Sequence, residues 1–231
     1  MATFVSDVKS TAMPKKHEAT TESEFAFYEK IKGNLKVIFD VGSSNQTEFL
    51  DFPGEVHYFD PLPQYLARIP LDSIKNSKFF LNGFGLSDKN EHLYYYPHFA
   101  SFFDRIKSCG KSDDANKIML EVKKSKDYLV EKNIQQIDFL KIDTEGYEFK
   151  VLKGFEEMLR CVKIIQFEYG GTFIDNETKL IEVIDYLKSM GFCRFSLLTD
   201  SGPVEMTDYS DNYEYCNIVC VNETSDYNPF I

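Results

Sequence analysis

Short apolar runs that alternate with amphipathic segments constrain the fold of this 231-residue chain more than any other feature. Each run is four to seven residues long and is bounded by turn residues. Such runs are typical of strands that are covered on both faces in a mainly parallel sheet. We assign them to residues 35–41, 55–59, 78–81, 137–142 and 162–167.

The segments between the runs have the periodicity of helices. Apolar residues recur every three or four positions over 149–159 and over 180–187, so each segment has one apolar helical face. Residues 195–198 and 217–221 predict a closing pair of antiparallel strands. Alternation of this kind predicts an α/β fold with a doubly wound, mainly parallel sheet.

Residues 88–135 are less regular than the rest of the chain. Aromatic clusters at 94–97 and 101–103 predict a short hairpin or loop, whose rings would form either a platform for a sugar face or a cover for the sheet edge. A strand over 118–122 and a helix over 125–132 are then expected to lead back into the sheet. Arg105 lies in this stretch, and we expect it to reach a carboxylate or an acidic sugar.

Composition and length describe an acidic, single-domain protein. The first 22 residues are polar and predict a flexible N-terminal arm, while residues 23–231 predict one domain. The formal net charge of −11 argues against nucleic-acid and anionic-lipid partners. No run reaches the roughly 18 apolar residues of a membrane span, so no membrane insertion is expected. Five cysteines without zinc-type spacing predict reduced thiols and a cytoplasmic location.

Ligands of open α/β sheets bind at the carboxyl ends of the strands, so the residues that follow each run are the candidate site. The first run ends with Asp40 and Gly42, and Ser43, Ser44 and Asn45 follow. Glycine allows a tight turn that approaches a ligand, and the polar residues can donate hydrogen bonds to it. The same residues also fit a plain strand-to-helix turn. The phosphate-binding patterns GxGxxG and GxxxxGK[ST] are absent, which argues against NAD and ATP.

The second and third runs are followed by further candidate ligand-binding residues. Asp60 lies about 20 residues after the glycine turn, where a carboxylate can accept hydrogen bonds from ribose hydroxyls. It would equally serve as a helix cap before Pro61. Gly83 and Gly85 flank Phe84, which predicts either a wall for a flat ring or a plain glycine turn.

Carboxylates follow the fourth and fifth runs. Asp143 and Glu145 come directly after the fourth run, Lys141 precedes them on the same strand, and Glu168 follows the fifth run. On neighbouring strands these acids would converge, either to hold a divalent cation or to act as a general base. The alternative is structural, because acidic residues are favourable near a helix N-terminus.

The segment IDFLKIDTEGYEFKVLKG at 137–154 closely resembles the signature of FkbM-type methyltransferases, S-adenosylmethionine-dependent enzymes of the class I, Rossmann-like fold. VIFDVGSSN, VHYFDP, FGLSD and VKIIQFEYG resemble other segments of that fold in the same order, and the resemblance covers about residues 35–200. It implies that the cofactor is bound by Asp40, Gly42, Ser43, Ser44, Asn45, Asp60, Pro61, Gly85, Leu86 and Ser87.

The resemblance also implies O-methylation of a hydroxyl on a sugar, glycan or polyketide-like acceptor. Asp143 is then the leading candidate for the base, with Glu145 and Glu168 beside it. Lys141 would orient the acids or steady an alkoxide, and His98 is a rival base. A Mg²⁺ ion held by Asp143 and Glu168 would acidify the acceptor hydroxyl.

Two other functions remain open at this point. The first loop lacks the second glycine of the family's usual D-x-G-A-N-x-G, which favours a non-catalytic module that binds S-adenosylmethionine or a nucleoside. An oxidoreductase is the third alternative, and the missing GxGxxG argues against it. The negative charge favours a neutral small-molecule or glycan acceptor, recognised chiefly by residues 88–116 or by a partner subunit. The oligomeric state is open, a homo-oligomer included.

Overall fold

A computed structural model provides the structure of this protein. It describes residues 21–44, 47–70, 72, 78–112 and 114–225. Most of the predicted N-terminal arm lies outside these residues, and the first described helix begins at Thr21. No helix of the described part of the chain combines the length and the hydropathy that a membrane crossing requires.

Strands and helices alternate over most of the described chain. The strands are β1 (Val37–Val41), β2 (Glu55–Phe59), β3 (Lys78–Asn82), β4 (Gly85–Ser87), β5 (Glu91–Tyr95), β6 (Ile118–Lys124), β7 (Ile137–Ile142), β8 (Val162–Tyr169), β9 (Phe192–Thr199), β10 (Gly202–Glu205) and β11 (Cys216–Asn222). The helices are α1 (Thr21–Ile31), α2 (Pro63–Leu66), α3 (Ile106–Cys109), α4 (Ser125–Lys132), α5 (Glu148–Gly154), α6 (Thr172–Asp175) and α7 (Leu180–Ser189). Short 3₁₀ helices lie at Lys32–Asn34 and Glu156–Cys161.

The main sheet has eight strands in the order β10-β9-β11-β8-β7-β1-β2-β3. Strands β3, β2, β1, β7 and β8 pair in parallel, whereas β11 pairs antiparallel with both β8 and β9. The predicted doubly wound, mainly parallel α/β sheet and its antiparallel closing pair are therefore confirmed. The strand order reverses between β1 and β7, and a crevice at such a point is where open α/β sheets bind ligands.

The stretch that looked irregular in the sequence forms a second, smaller sheet. Its order is β4-β6-β5, and β6 pairs in parallel with β4 and antiparallel with β5. The expected strand and helix are β6 and α4, and they lead back into the main sheet at β7, but β6 itself pairs within the small sheet. A strand pattern shows where a strand lies but not its pairing partner, and here α4 separates β6 from β7.

Hydrophobic residues are buried on both faces of the main sheet. Neighbouring residues of a strand point to opposite faces, and Phe39 and Leu140 belong to one core cluster while Ile38 and Phe139 belong to the other. Helices α4, α5 and α7 contribute to the first cluster and α1 to the second. This two-sided burial explains why the central strands read as continuous apolar runs.

Helix α5 fixes the small sheet against the main one. A Cβ atom built on Gly154 would lie 1.9 Å from the backbone oxygen of Ser87 in β4, so only glycine permits this approach. The Ser125 hydroxyl, at the start of α4, donates to the Val151 carbonyl oxygen of α5 at 3.0 Å. These contacts hold β4 beside the carboxyl ends of β1 and β2.

Candidate active site

A cleft opens where β1, β2 and β7 end, at the point where the strand order reverses. It encloses about 820 Å³ of empty space, part of which is open solvent. Residues that follow these three strands line it, together with parts of the small sheet and of the 95–102 segment. The cleft therefore lies where the sequence predicted a ligand.

The floor of the cleft is the tight turn at Gly42. Its backbone has φ +86°, and a Cβ atom at this position would lie 1.8 Å from the Asp143 carbonyl oxygen. The Gly42 amide donates to Phe59 O at 2.9 Å, and the Asp143 amide donates to Val41 O at 2.9 Å. The turn is therefore joined to both neighbouring strands, and glycine is required there on two counts.

Asp60 lies in the wall of the cleft, and each of its two carboxylate oxygens accepts a hydrogen bond from one backbone amide. Oδ2 accepts from the Ser44 amide at 3.0 Å and Oδ1 accepts from the Leu62 amide at 2.8 Å. Burial raises the pKa of Asp60 to about 6, although both hydrogen bonds act in the opposite direction. A carboxylate has about four acceptor sites in all, so Asp60 can still accept hydrogen bonds from a ligand diol.

Aromatic rings form an apolar slot beside these polar groups. Tyr65, Tyr95, Phe102 and Tyr147 line the cleft together with Leu86. The ring centroids of Tyr95 and Phe102 are 5.5 Å apart, and those of Phe102 and Tyr147 are 5.2 Å apart. A flat, apolar ring system fits such a slot.

Three carboxylates converge at the β7 and β8 side of the cleft. Asp143, Glu145 and Glu168 each offer an oxygen within 4.8 Å of the other two. Glu145, two residues after Asp143, has a left-handed backbone with φ +52°. Convergence on neighbouring parallel strands is therefore confirmed as geometry, while the roles of the three residues remain predictions.

Arg105 reaches this acid cluster from the irregular stretch. Its Nη1 atom lies 3.7 Å from Glu145 Oε2, its Nε atom lies 3.5 Å from Asp175 Oδ2, and its Nη2 atom donates to the Tyr215 hydroxyl at 2.6 Å. Arg105 thus contacts carboxylates of the protein itself, and its reaching an acidic acceptor stays a prediction. The guanidinium partly balances the acids and ties residue 105 to α6.

Glu148 is a site residue that the sequence reasoning did not single out. Its Oε1 atom accepts from the Thr144 amide at 2.8 Å, from the Thr144 hydroxyl at 2.9 Å and from the Gly146 amide at 3.2 Å. The side chain is fully buried, and burial raises its pKa to about 7. It thus shapes the loop that presents Asp143 and Glu145. The available signal was its place in the first turn of α5, where a carboxylate is favourable.

The sequence matches the model of the methyltransferase FkbM domain over residues 40–193, which is more than half of the chain. This protein belongs to the FkbM methyltransferase family. The family match gives this chain a methyltransferase fold. The cleft described above lies within the matched residues. A comparison with curated proteins gave no match.

Solved structures with a similar fold include other methyltransferases. Methyltransferase FkbM from Methylobacillus flagellatus KT is 14% identical, with a TM-score of 0.46; the alignment covers 80% of this chain and 43% of that one. The pre-rRNA processing protein fibrillarin from Methanococcus jannaschii is 14% identical with a TM-score of 0.45, and the alignment covers 85% and 70% of the two chains. A TehB-like SAM-dependent methyltransferase from Corynebacterium glutamicum is 8% identical with a TM-score of 0.44, and the coverage is 88% and 89%.

This FkbM-family chain spans less than half the length of the M. flagellatus relative. All three TM-scores are below 0.5, so these likenesses add nothing to the family assignment. That assignment rests on the family model and agrees with the sheet order of this chain.

The predicted cofactor-binding residues fall into three groups. Those that line the cleft are Gly42, Ser44, Asp60, Pro61, Gly85 and Leu86. Asp40, Ser43 and Ser87 are buried and are not among the lining residues. Asn45 lies outside the described residues.

The predicted catalytic residues Asp143 and Glu145 line the cleft, whereas Lys141 and His98 are not among its lining residues. His98 is exposed, and its ring packs against Phe99 with centroids 5.0 Å apart. The Lys141 ammonium is buried among carboxylates below the Gly42 turn, so its contacts support orienting acids rather than steadying an alkoxide.

Proposed function

We propose that this FkbM-family chain is an S-adenosylmethionine-dependent O-methyltransferase that acts on a hydroxyl of a sugar, glycan or polyketide-like acceptor. One observation carries the proposal. A single cleft at the strand-order reversal combines the Asp60 carboxylate, an aromatic slot and the convergent carboxylates of Asp143 and Glu145.

The residues of the cleft fit the cofactor by chemistry. Asp60 suits the ribose hydroxyls, because each of its oxygens has acceptor capacity beyond its backbone amide. The slot around Tyr65 and Leu86 suits the adenine ring. The acids near Asp143 favour a cationic methionine end. When bound, the cofactor supplies an electrophilic methyl group on a sulfonium.

The chain's own contribution is to align the acceptor oxygen and to take its proton. Asp143 is the proposed base, since it directly follows β7, its backbone lies against the Gly42 turn and it lines the cleft. The acceptor hydroxyl proton passes to a carboxylate oxygen of Asp143. Ser101 and Arg105 hold Glu145, which lies two residues after Asp143. The Ser101 hydroxyl donates to the Glu145 carbonyl oxygen at 2.7 Å, and Arg105 lies beside the Glu145 carboxylate.

A divalent cation at Asp143 and Glu168 is the alternative way to activate the hydroxyl. The carboxylate oxygens of these residues lie within 4.8 Å of each other, and oxygen donors suit Mg²⁺. Turnover measured in excess EDTA distinguishes activation by a metal ion from activation by Asp143 acting alone as a base. Full activity after chelation rules out the metal, and a loss that Mg²⁺ restores rules out a metal-free base mechanism.

The acceptor is proposed to be neutral. The cleft is lined by Asp60, Asp143 and Glu145, and the chain carries a net charge of −11, so a polyanionic acceptor would be repelled. The segment around Ala100 and Phe102 also lines the cleft, which supports acceptor recognition by the stretch at 88–116.

Calorimetry and a transfer assay test the proposal together. We expect the protein to bind S-adenosylhomocysteine but not NAD, and to transfer a labelled methyl group from S-adenosylmethionine to a member of a panel of neutral sugars and glycosides. Binding without transfer to any hydroxyl acceptor would identify a non-catalytic module instead. Absence of S-adenosylhomocysteine binding would contradict the proposal altogether.

A further inference from the structure

A buried ion network lies below the Gly42 turn, outside the set of residues that line the cleft. Its centre is Lys141 of β7, whose Nζ atom is 3.1 Å from Glu48 Oε1 and 3.4 Å from Glu24 Oε1. The side chains of Lys141, Glu48 and Glu24 are 11%, 12% and 14% exposed. Ion pairs at such depth are screened little by solvent.

The carboxylates around Lys141 come from separate parts of the chain. Glu24 belongs to α1, and its Oε1 atom also accepts from Gln166 Nε2 of β8 at 2.6 Å. Glu48 follows the segment that leaves β1 at Gly42. Asp40 lies on β1 directly opposite Lys141 in the parallel register. A single ammonium therefore has a carboxylate from before the Gly42 turn, Asp40, and one from after it, Glu48, beside it.

The network contains more acids than bases. Glu24, Glu48, Asp40 and Asp143 all raise the pKa of one lysine, and Asp40 is buried with its Oδ2 atom lacking a hydrogen-bond partner. Burial raises the pKa of Asp40 and of Glu24, and Lys141 acts against that rise at both positions. Without Lys141, uncompensated carboxylates would remain buried, an arrangement that proteins avoid by moving the groups towards water.

One member of the network lies outside the family domain. The family match begins at residue 40, whereas Glu24 is on α1 at Thr21–Ile31. Helix α1 packs on the face of the sheet that carries Ile38 and Phe139. Its Glu24 carboxylate thus brings α1 into contact with Lys141 of β7 and Gln166 of β8.

We propose that Lys141 is a positioning residue of the cofactor site, which holds the Gly42 turn through Glu48 and makes α1 part of that site through Glu24. The inference rests on the proposed function, because it assumes that the cleft binds the cofactor. It assigns to α1 a part in cofactor affinity that its position outside the matched domain does not suggest.

Three variants and one control test the proposal. Lys141→Met removes the central charge, and Glu24→Gln removes one carboxylate while keeping an oxygen for Gln166. The double variant measures whether the two act together. Lys163→Met is the matched control, because Lys163 Nζ pairs with the buried Asp138 carboxylate at 2.8 Å near the opposite end of the same sheet.

Two readouts are needed, one of which requires no cofactor. In the apo protein we expect faster amide hydrogen exchange at Gly42, Ser44 and Asp143 in Lys141→Met and Glu24→Gln, and no change there in Lys163→Met. In calorimetry we expect Lys141→Met to weaken S-adenosylhomocysteine binding about tenfold or more and Glu24→Gln to weaken it less, with KM for the cofactor rising more than kcat falls. The double variant should bind as Lys141→Met does.

The outcomes separate failure of the inference from failure of the proposed function. Normal cofactor binding by the wild-type protein, with unchanged exchange and affinity in Glu24→Gln and Lys141→Met, would overturn the inference alone. So would equal effects in Lys163→Met. If the wild-type protein binds no S-adenosylhomocysteine but exchange at the turn still rises in both variants, the proposed function fails and the positioning role stands. If Lys141→Met does not fold, Glu24→Gln decides.

Discussion

Individual carboxylates of this protein have different tasks, although three of them lie within the six residues 143–148. Asp143 and Glu145 line the cleft, whereas Glu148 is buried and accepts hydrogen bonds from the Thr144 and Gly146 amides. Asp138, at the start of the same strand, accepts from the Lys36 and Val37 amides at 2.8 and 3.0 Å. Burial and hydrogen-bond partners therefore decide what a carboxylate of this chain can do.

The Asp143→Asn variant tests the base. We expect kcat to fall about 100-fold or more, because an amide cannot take the acceptor proton. KM for S-adenosylmethionine should change little, since the backbone contacts of residue 143 with Val41 are kept. Steady-state methyl transfer measures both constants. Asp127→Asn, at an exposed residue of α4, is the control, and unchanged kcat in Asp143→Asn would move the base to another residue.

The Glu148→Gln variant tests the buried carboxyl. Burial raises the pKa of Glu148 to about 7 from its ordinary value of 4.5, so the folded state holds the proton more tightly than the unfolded state. The protonated Glu148 carboxyl therefore makes its whole contribution to the free energy of unfolding of the wild-type protein below pH 4.5. That contribution is lost as the pH rises to about 7. Gln keeps an oxygen for Thr144 and Gly146 and removes that loss. Between pH 4.5 and 7 the stability of the variant relative to wild type should rise by up to about 3 kcal/mol.

Urea unfolding at several pH values measures this difference. A constant gap between Glu148→Gln and wild type across that range would show that Glu148 does not titrate as described. Glu157→Gln is a control, because Glu157 is a solvent-exposed residue paired with Lys126 on the protein surface.

At the scale of elements, the turn between β1 and the segment after it is the most constrained connection of the site. Its glycine carries a left-handed backbone and packs on the Asp143 carbonyl oxygen. The end of β1, the end of β2 and the end of β7 are joined there by backbone hydrogen bonds. A change at this turn therefore alters three strand ends at once.

The Gly42→Ala variant tests this connection. A Cβ atom would lie 1.8 Å from a backbone oxygen, so either the turn or β7 must shift. We expect a loss of about 3 kcal/mol or more of stability and loss of S-adenosylhomocysteine binding. Chemical denaturation and calorimetry measure the two effects. Gly33→Ala is the matched control, because nothing lies within 4 Å of its added Cβ atom. Equal effects of the two substitutions would contradict the close approach.

At the scale of the whole molecule, the described part of the chain is built on one sheet whose two faces carry the two core clusters. Ile38 and Phe39 are adjacent on β1 yet belong to different clusters, so each central strand contributes to both. Neither cluster can lose its packing without disturbing strands that the other needs. Cooperative unfolding follows from this sharing.

Thermal unfolding should therefore show a single transition. S-adenosylhomocysteine at about 100 times its Kd should add about 2.7 kcal/mol of stability, and so raise Tm by about 5–10 °C. NAD at the same concentration should leave Tm unchanged. Differential scanning calorimetry measures both effects. Two separate transitions in the free protein would contradict the shared core, and a shift with NAD would contradict the proposed cofactor.

The sequence by itself determined most strands of the main sheet, their alternation with helices and the places where chemistry gathers. Residues 55–59 and 137–142 were predicted with the bounds that β2 and β7 have. This was possible because hydrophobic periodicity and turn residues are local signals. The convergence of Asp143 and Glu168 followed as well, since adjacent parallel strands bring their carboxyl ends to one edge.

Only the tertiary structure decided which groups meet across the chain. Residues 118–124 would form a strand whether they joined the main sheet or the small one. Their pairing with β4 and β5 depends on partners that are distant in the sequence. Lys141 lies beside Asp143 in the sequence, yet its ammonium contacts Glu24 and Glu48, more than 90 residues away. Burial assigns these partners, because a buried charge must be paired with whichever opposite charge the fold brings near. Local sequence carries no record of that choice.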